Sequence, residues 1–349
     1  MTMNLHRVFS RLAFCSAALA AAGPSPASAQ TVLRYSNWLP PTHHVVTEMV
    51  QPWAADVEKA TEGRVKIQVL PALGAPLAHY DLVKNGVADI AFTVHAYTPN
   101  RFKLTEMAEL PFTTDHAVVN SLAYWRTYQK HFAKLNEHEG VVLLGLWTNG
   151  PYQLFTKANA FESMDAVKGI KIRVPGTTVE KIAKELGMTP ISSPLTEAYE
   201  QISRGVIQGM FQQKETVVAF KMTQHMPTAS YVPGGFAHSS QYIIVNDAKW
   251  QSLEARDRDA IMKLSGEAMV KRFSTVWQAK EDEAVGKLKE AGVKVTDVQG
   301  PLLDDLRKRL AFVEQEWLTE ASKKSPDAKA ALDEYRGLIK SLSAEMGVK

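Results

Sequence analysis

The amino-acid sequence predicts an α/β protein built of two lobes with a cleft between them. Three observations support this fold class. Strands and helices alternate over much of the chain, one helix–glycine–strand segment recurs 119 residues later, and the last third is almost entirely helical. Alternation of this kind is typical of largely parallel sheets covered by helices. Two such units leave a crevice where they meet.

The first unit lies in the N-terminal part of the chain. Val65, Ile67 and Val69 alternate with polar residues, as strand residues do. Met49, Trp53 and Val57 are spaced for one helix face. The predicted elements are strands at residues 33–37, 65–69 and 90–94, helices at residues 43–61 and 80–85, and a loop over residues 71–76.

The second unit repeats this plan further along the chain. Tyr80 and Gly86 align with Tyr199 and Gly205 at the same offset. The predicted elements are strands at residues 169–174 and 206–211, helices at residues 178–186 and 197–204, and a loop over residues 190–194. In the last third we expect helices over residues 247–266, 267–291, 302–322 and 328–346, with a short strand at 293–295.

The N-terminus has the three parts of a secretory signal peptide. Arg7 and Arg11 precede an uncharged apolar stretch, which ends before the small-residue site Ala27-Ser28-Ala29. The stretch is shorter than the roughly 20 residues that span a bilayer. We therefore expect residues 1–29 to be removed. The alternative is a lipid anchor at Cys15, which the bulky Phe14 before it disfavours.

Net charge and cysteine content limit the possible partners and the source of stability. The net charge of +3 falls to +1 when Arg7 and Arg11 are removed. That value is too near neutral to indicate a nucleic-acid partner. Cys15 is the only cysteine, so the mature chain would depend on its core rather than on disulfides.

Signatures of catalysis and of metal binding are missing from the sequence. It contains no nucleophile elbow, no zinc-protease motif and no glycine-rich phosphate loop. His43 and His44 are neighbours, and on a helix we expect them to point in different directions. The sequence therefore indicates no catalytic residues, no metal site and no cofactor.

The segment from Lys171 to Gly176, Lys-Ile-Arg-Val-Pro-Gly, is the sharpest feature. Arg173 lies near the carboxyl end of a predicted strand, where open α/β sheets place their ligand crevice. A guanidinium presents two parallel donors that match a carboxylate. The alternative role for Arg173 is a surface salt bridge.

This motif, together with Gly205–Gly209 and Tyr80–Ile90, resembles the substrate-binding subunits of tripartite ATP-independent periplasmic (TRAP) transporters. The resemblance implies a periplasmic-binding-protein fold, with two lobes, a hinge of crossing strands and a long bridging helix. It implies that Arg173 holds a ligand carboxylate. We place lobe I at residues 30–150 and about 240–280, and lobe II at residues 151–239 and about 281–349.

Other residues are expected to complete the site. Many relatives have a second arginine in the strand that matches residues 149–156, and this chain has none there. Gln212 and Gln213 supply amides that could bind polar groups. Aromatic residues at strand ends predict a partly apolar wall; these are Trp38, Tyr97, Tyr152 and Phe236.

The sequence thus predicts a periplasmic solute-binding protein. We expect it to capture a small organic acid and to deliver it to integral-membrane permease subunits. An exported hydrolase or lyase on the same scaffold, or a periplasmic ligand sensor, are the alternatives.

Overall fold

The computed structural model describes residues 30–348, so the predicted signal peptide lies outside the described residues. The strands within this range form two sheets. The first sheet contains β1 (Thr31–Asn37), β2 (Val65–Pro71), β3 (Ile90–Val94), β4 (Val141–Thr148) and β10 (Ser240–Asn246). Its order is β2-β1-β3-β10-β4, and β10 is antiparallel to both of its neighbours.

The second sheet has six strands. They are β5 (Gln153–Thr156), β6 (Lys171–Val174), β7 (Thr189–Ser192), β8 (Gly209–Gln212), β9 (Thr228–Tyr231) and β11 (Lys294–Asp297). Their order is β11-β9-β5-β8-β6-β7, with β6 parallel to both β7 and β8. We call the first sheet and the helices on it lobe I, and the second sheet and its helices lobe II. Two α/β lobes are therefore present, as predicted.

The internal similarity seen in the sequence is present in the structure. The helical segments are α1 (Gln51–Ala60), α2 (His79–Lys84), α3 (Ala117–Thr127), α4 (Thr177–Glu185), α5 (Ala198–Ser203), α6 (Lys214–Ala219), α7 (Asp247–Gln251), α8 (Ala255–Lys263), α9 (Gly266–Glu290), α10 (Gly300–Ser322) and α11 (Ala328–Met346). α5 and β8 begin 119 residues after α2 and β3. Gly86 and Gly205 follow the two helices with φ near +73° and +74°, a conformation that favours glycine.

Helix α9 is the predicted bridging helix. It packs on α3 and β4 of lobe I and on α6 of lobe II. At the junction Glu281 is buried, and its carboxylate accepts a hydrogen bond of 3.1 Å from the backbone N–H of Glu215. Lys214 Nζ lies 3.1 Å from the other carboxylate oxygen of Glu281. None of the helices between residues 30 and 348 is both long and apolar enough to cross a membrane.

Two helices near the C-terminus run back from lobe II to lobe I. In α10, Glu316 pairs with Lys181 of α4 in lobe II, whereas Trp317 Nε1 donates to the backbone oxygen of Lys103 in lobe I. Helix α11 packs on α3, where Tyr335 donates to Asn120. The assignment of all residues 281–349 to lobe II was therefore wrong for α11. An apolar helix face shows that a helix is buried but not which surface covers it.

Some predicted boundaries also differ from the structure. Residues 190–194 were expected to be a loop, but Thr189–Ser192 form β7 at the edge of its sheet, where Pro190 is tolerated. The helix predicted over residues 43–61 starts at Val45 with wide π-type turns before α1. The continuous helix predicted over residues 247–266 is divided into α7 and α8.

The two crossings that connect strands of different lobes lie side by side. The first joins β4 to β5, and the second joins β9 to β10. Tyr152 N–H donates to Ala237 O at 2.7 Å, and Phe236 N–H donates to Tyr152 O at 2.9 Å. These bonds join the two crossing segments into one hinge.

The lobes also touch away from the hinge. The hydroxyl of Tyr97 in lobe I accepts a hydrogen bond of 3.0 Å from Leu195 N–H in lobe II. Beside it, a Cβ added to Gly176 would lie 2.7 Å from Ala96 Cβ and 2.9 Å from Ala96 O. The lobes can approach this closely only because residue 176 has no side chain.

Gly176→Ala should therefore hold the lobes apart. We expect small-angle scattering to show a larger radius of gyration than that of the parent protein. Gly286→Ala is the matched control, because a Cβ on this residue of α9 would meet nothing within 4 Å. The control should keep the parent dimensions and gain about 0.5–1 kcal/mol in free energy of unfolding. Equal dimensions for Gly176→Ala and the parent would contradict this role.

Candidate functional site

A cavity lies between the two lobes, and the space within it and at its open mouth amounts to about 430 Å³. Lobe I, lobe II and α9 all contribute to its wall. The lining residues are Trp38, Leu39, His43, Phe92, Val94, Tyr97, Asn149, Tyr152, Arg173, Pro175, Leu195, Gln212, Gln213, Thr216, Ser239, Gln241 and Trp277.

Arg173 is held in the lobe II wall of this cavity. Its strand β6 lies between β7 and β8, and its side chain is buried, with the residue only 1% exposed. Nε donates to the backbone oxygen of Ser193 at 2.9 Å, and Nη1 donates to Gln212 Oε1 at 3.2 Å. Nη2 is buried and has no hydrogen-bond partner among residues 30–348. The guanidinium is thus fixed in place with one amino group free to bind a ligand.

The two predicted glutamines form a short chain of hydrogen bonds beside Arg173. Gln212 Nε2 donates to Gln213 Oε1 at 2.6 Å, and Thr216 Oγ1 donates to the same oxygen at 3.1 Å. Gln212 Oε1 is the oxygen that accepts from Arg173. The amides therefore orient the guanidinium as well as lining the cavity.

Aromatic rings form much of the lobe I wall. The Trp38 ring stacks on Phe92 with centroids 5.7 Å apart, and Tyr97 lies 5.8 Å from Trp38 at a steeper angle. Trp38 Nε1 donates to the backbone oxygen of Phe92 at 3.0 Å, so its only polar atom is satisfied. Tyr152 faces the cavity from lobe II, and its burial raises the pKa of its hydroxyl. This wall is an apolar surface suited to an aromatic or aliphatic body.

Phe236 has a different position from the one expected. Six of the seven predicted binding residues line the cavity, but Phe236 is not among the lining residues found in the described part of the chain. Its ring is fully buried against Phe161 and Phe211, at centroid distances of 6.0 and 4.9 Å. Phe236 follows a strand end as the others do, but its backbone pairs with Tyr152 and directs its side chain into the core.

Several lining residues were missed by the sequence analysis. Gln241 belongs to β10 and pairs in register with Val94 and Trp147, in the interior of the first sheet. Trp277 comes from α9. Neither lies in a motif or at a predicted strand end, so local patterns contain no signal for them. Gln241 reaches the cleft because β10 lies in the middle of the lobe I sheet, and Trp277 reaches it because α9 runs between the lobes.

A polar cluster behind the cavity joins the lobes. His43 and His44 were expected to point apart, but their ring centroids are 4.3 Å apart and both face Glu215 of lobe II. His44 Nδ1 lies 3.1 Å from Glu215 Oε1, and His43 Nε2 lies 3.8 Å from it. Burial lowers the pKa of His43 to about 4. Burial alone would raise the pKa of Glu215, but the His44 contact brings it below its usual value.

These three side chains have the spacing of a metal site, since their ligand atoms lie within 4.8 Å of one another. The sequence analysis did not foresee this cluster. However, His43 Nδ1 accepts a hydrogen bond from Val45 N–H at 3.2 Å, which leaves the ring proton of neutral His43 on Nε2. The contact of 3.1 Å between His44 Nδ1 and Glu215 Oε1 makes the cluster a polar link between the lobes.

A family model described as bacterial extracellular solute-binding protein, family 7 (DctP), matches residues 35–320. The chain belongs to this family. Its strands, hinge and bridging helix are those of a two-lobed solute-binding protein, as predicted. Membership supports the solute-binding interpretation over the exported-enzyme alternative.

Individual relatives agree with this assignment. The outer membrane transporter protein TsaT of Comamonas testosteroni is 31% identical over 332 residues, which cover 93% of this chain and 97% of TsaT. A TRAP periplasmic solute-binding protein from Bordetella bronchiseptica, crystallised with (R)- and (S)-mandelate, is 37% identical. Its TM-score is 0.87, and the match covers 89% of this family 7 chain and 99% of the other.

A third relative is the TRAP solute-binding protein of Rhodoferax ferrireducens, whose structure contains co-purified benzoate. It is 26% identical, with a TM-score of 0.84 and coverage of 91% of this chain and 100% of the other. The family 7 fold and its transport role are therefore established for this chain.

Proposed function

We propose that this protein captures an aromatic or apolar monocarboxylate in the cavity between its lobes and delivers it to the permease subunits of a TRAP transporter. The observation that carries the proposal is the buried guanidinium of Arg173. Arg173 lines the cavity, and its Nη2 is buried without a hydrogen-bond partner among the described residues. A carboxylate would supply the acceptor that this group lacks.

The bonds that hold Arg173 favour this role over a structural salt bridge. Both of its hydrogen bonds go to uncharged oxygens, on Ser193 and Gln212. They orient the guanidinium but leave its positive charge uncompensated. A buried charge without a counterion is costly, and a ligand carboxylate would provide that counterion when the lobes close.

The rest of the cavity supports a single carboxylate on an apolar body. Arg173 is the only arginine or lysine among the lining residues found within residues 30–348. Opposite it lie the rings of Trp38, Phe92 and Tyr97. The relatives crystallised with mandelate and with benzoate bind acids of this kind.

We further propose that the protein binds its ligand without chemical turnover, and that it acts in the periplasm after loss of residues 1–29. Family membership and the solute-binding relatives support the first statement. The charged start, apolar stretch and Ala27-Ser28-Ala29 site support the second.

Arg173→Ala should weaken binding of benzoate by about 30-fold to several thousand-fold. Loss of the guanidinium leaves the buried carboxylate without its partner, at a cost of roughly 2–5 kcal/mol. Arg173→Lys should also lose much of the affinity, because an ammonium cannot reproduce the forked geometry. Isothermal titration calorimetry measures both effects.

Lys171→Ala is the matched control for this series. Lys171 lies on the same strand, but it is exposed and does not line the cavity. The control should bind benzoate as the parent does. Parent-like affinity in a folded Arg173→Ala protein would refute the site, whereas unfolding of that variant would make Arg173 a structural residue.

Benzoate should bind at least about ten-fold more tightly than terephthalate, which differs from it by one added carboxylate. The second carboxylate would lose its water against the aromatic wall without gaining a second cation. Competition calorimetry with the two acids checks this expectation. Tighter binding of terephthalate would show that another positive group enters the cleft.

The exported protein should begin at Gln30. Cleavage after Ala29 follows from the small-residue site, and the intact mass of protein purified from the periplasm measures it. A mature chain that begins with a lipid-modified Cys15 would establish the anchored alternative instead.

A further inference from the structure

The chain of hydrogen bonds beside Arg173 has a direction, and the arginine sets it. A guanidinium has only donors, so the Gln212 atom that lies 3.2 Å from Arg173 Nη1 must be the oxygen Oε1. The other end of that amide is then the donor Nε2, which lies 2.6 Å from Gln213. The Gln213 atom that accepts this bond must in turn be its oxygen, Oε1. The orientations of both amides therefore follow from the donor-only chemistry of Arg173.

Gln213 is held at the cavity with one end of its amide left over. It lies between β8 and α6, is buried and lines the cavity. Its side-chain hydrogen bonds within residues 30–348 are both made through Oε1, one with Gln212 and one with Thr216 Oγ1 at 3.1 Å. Its side chain does not cap α6. Nε2 of Gln213 is therefore an oriented donor without a partner in the described chain.

Two other unpaired groups of lining residues have the same polarity. Nη2 of Arg173 and Nε1 of Trp277 are buried without hydrogen-bond partners in the part of the chain that the structure describes. Both nitrogen atoms can only donate. With Gln213 Nε2 they make three groups that require acceptors. A carboxylate has two oxygens that only accept, whereas a carboxamide has one accepting oxygen and one donating nitrogen.

We propose that Gln213 Nε2 donates to the second oxygen of the ligand carboxylate, next to the oxygen bound by Arg173, and that Gln213 thereby selects carboxylates over carboxamides. Gln212 is a positioning residue, because its amide fixes which end of Gln213 is free. The strands β6 and β8 are parallel neighbours, so both ligand contacts come from lobe II. This inference rests on the proposed function, since Arg173 must take the carboxylate.

The test compares benzoate with benzamide in the parent protein and in Gln213→Glu, by competition calorimetry at pH 8. Glutamate keeps an oxygen to accept from Gln212 and replaces the donor Nε2 with a second oxygen. Benzoate should bind at least about ten-fold more weakly, because it loses a donor and meets a negative charge. Benzamide should be weakened less or bind more tightly, since its N–H can donate to the new oxygen. The ratio of benzoate to benzamide affinity should therefore fall at least about ten-fold.

Gln208→Glu is the matched control. Gln208 precedes β8 in the same lobe, but it is exposed and does not line the cavity. The control adds the same charge and should change both affinities by less than about two-fold. Gln213→Met is a second variant, which removes Nε2 without adding a charge. Its affinity ratio should fall at least about three-fold, because benzoate loses a donor while the benzamide N–H no longer meets one.

The outcomes separate this inference from the proposed function. If neither benzoate nor phenylacetate binds to the parent protein, the proposed function fails. If benzoate binds and Arg173→Ala weakens it, but the affinity ratio is unchanged in a folded Gln213→Glu protein, only this inference is overturned. Equal weakening of benzoate and benzamide overturns it as well, because a purely structural role for Gln213 gives that result. If Gln213→Glu does not fold, an unchanged ratio in Gln213→Met overturns it.

Discussion

The arrangement of the cleft depends on how the Arg173 guanidinium is buried. A positive charge taken out of water costs several kcal/mol unless other groups compensate it. Here the compensation is incomplete, because Ser193 and Gln212 accept two of its hydrogen bonds and Nη2 has no partner within residues 30–348. The lobe II sheet holds this unpaired donor in place, and the lobe I wall closes the space in front of it. In the function proposed above, a ligand anion would complete the electrostatic balance of the closed protein.

The second constraint is mechanical, and it lies at the hinge. The two crossings are hydrogen-bonded to each other, and α9 lies across both lobes beside them. A Cβ on Gly150, at the first crossing, would come within 2.5 Å of the Glu281 side chain of α9. Glu281 also binds the first turn of α6 through Glu215 N–H. Helix α9, the crossings and lobe II are therefore joined at this point.

Much of the fold was predictable because its signals are local. The repeated helix–glycine–strand segment, the capping glycines and the amphipathic helices at the C-terminus gave element positions within a few residues of those observed. The place of α11 was not predictable, since its apolar face fits either lobe. The loop predicted over residues 190–194 was also wrong, because the proline-containing edge strand β7 has the composition of a loop.

The binding site, like the fold, was predictable only in part. Arg173, Gln212 and Gln213 lie in or beside recognisable strand-end segments, and all three line the cavity. Phe236 shared the strand-end position but turned inward, because backbone pairing at the hinge sets its direction. The positions of Gln241 and Trp277 in the cleft could not be predicted from the sequence, because they depend on the order of strands in the sheet and on the path of α9. Local patterns thus identified strand-end residues on both walls, whereas the residues that depend on topology were missed.

The stacked indole rings have a consequence for optical measurement. Trp38 and Trp277 line the cavity, while Trp147 stacks on the far side of Phe92, with centroids 5.9 Å apart. Indole emission depends on the polarity and water content of its surroundings. Entry of a solute into the cavity would replace water beside Trp38 and Trp277 with an aromatic or aliphatic neighbour. The intrinsic fluorescence of the unlabelled protein is therefore a built-in reporter of occupancy, and no dye or cysteine needs to be introduced.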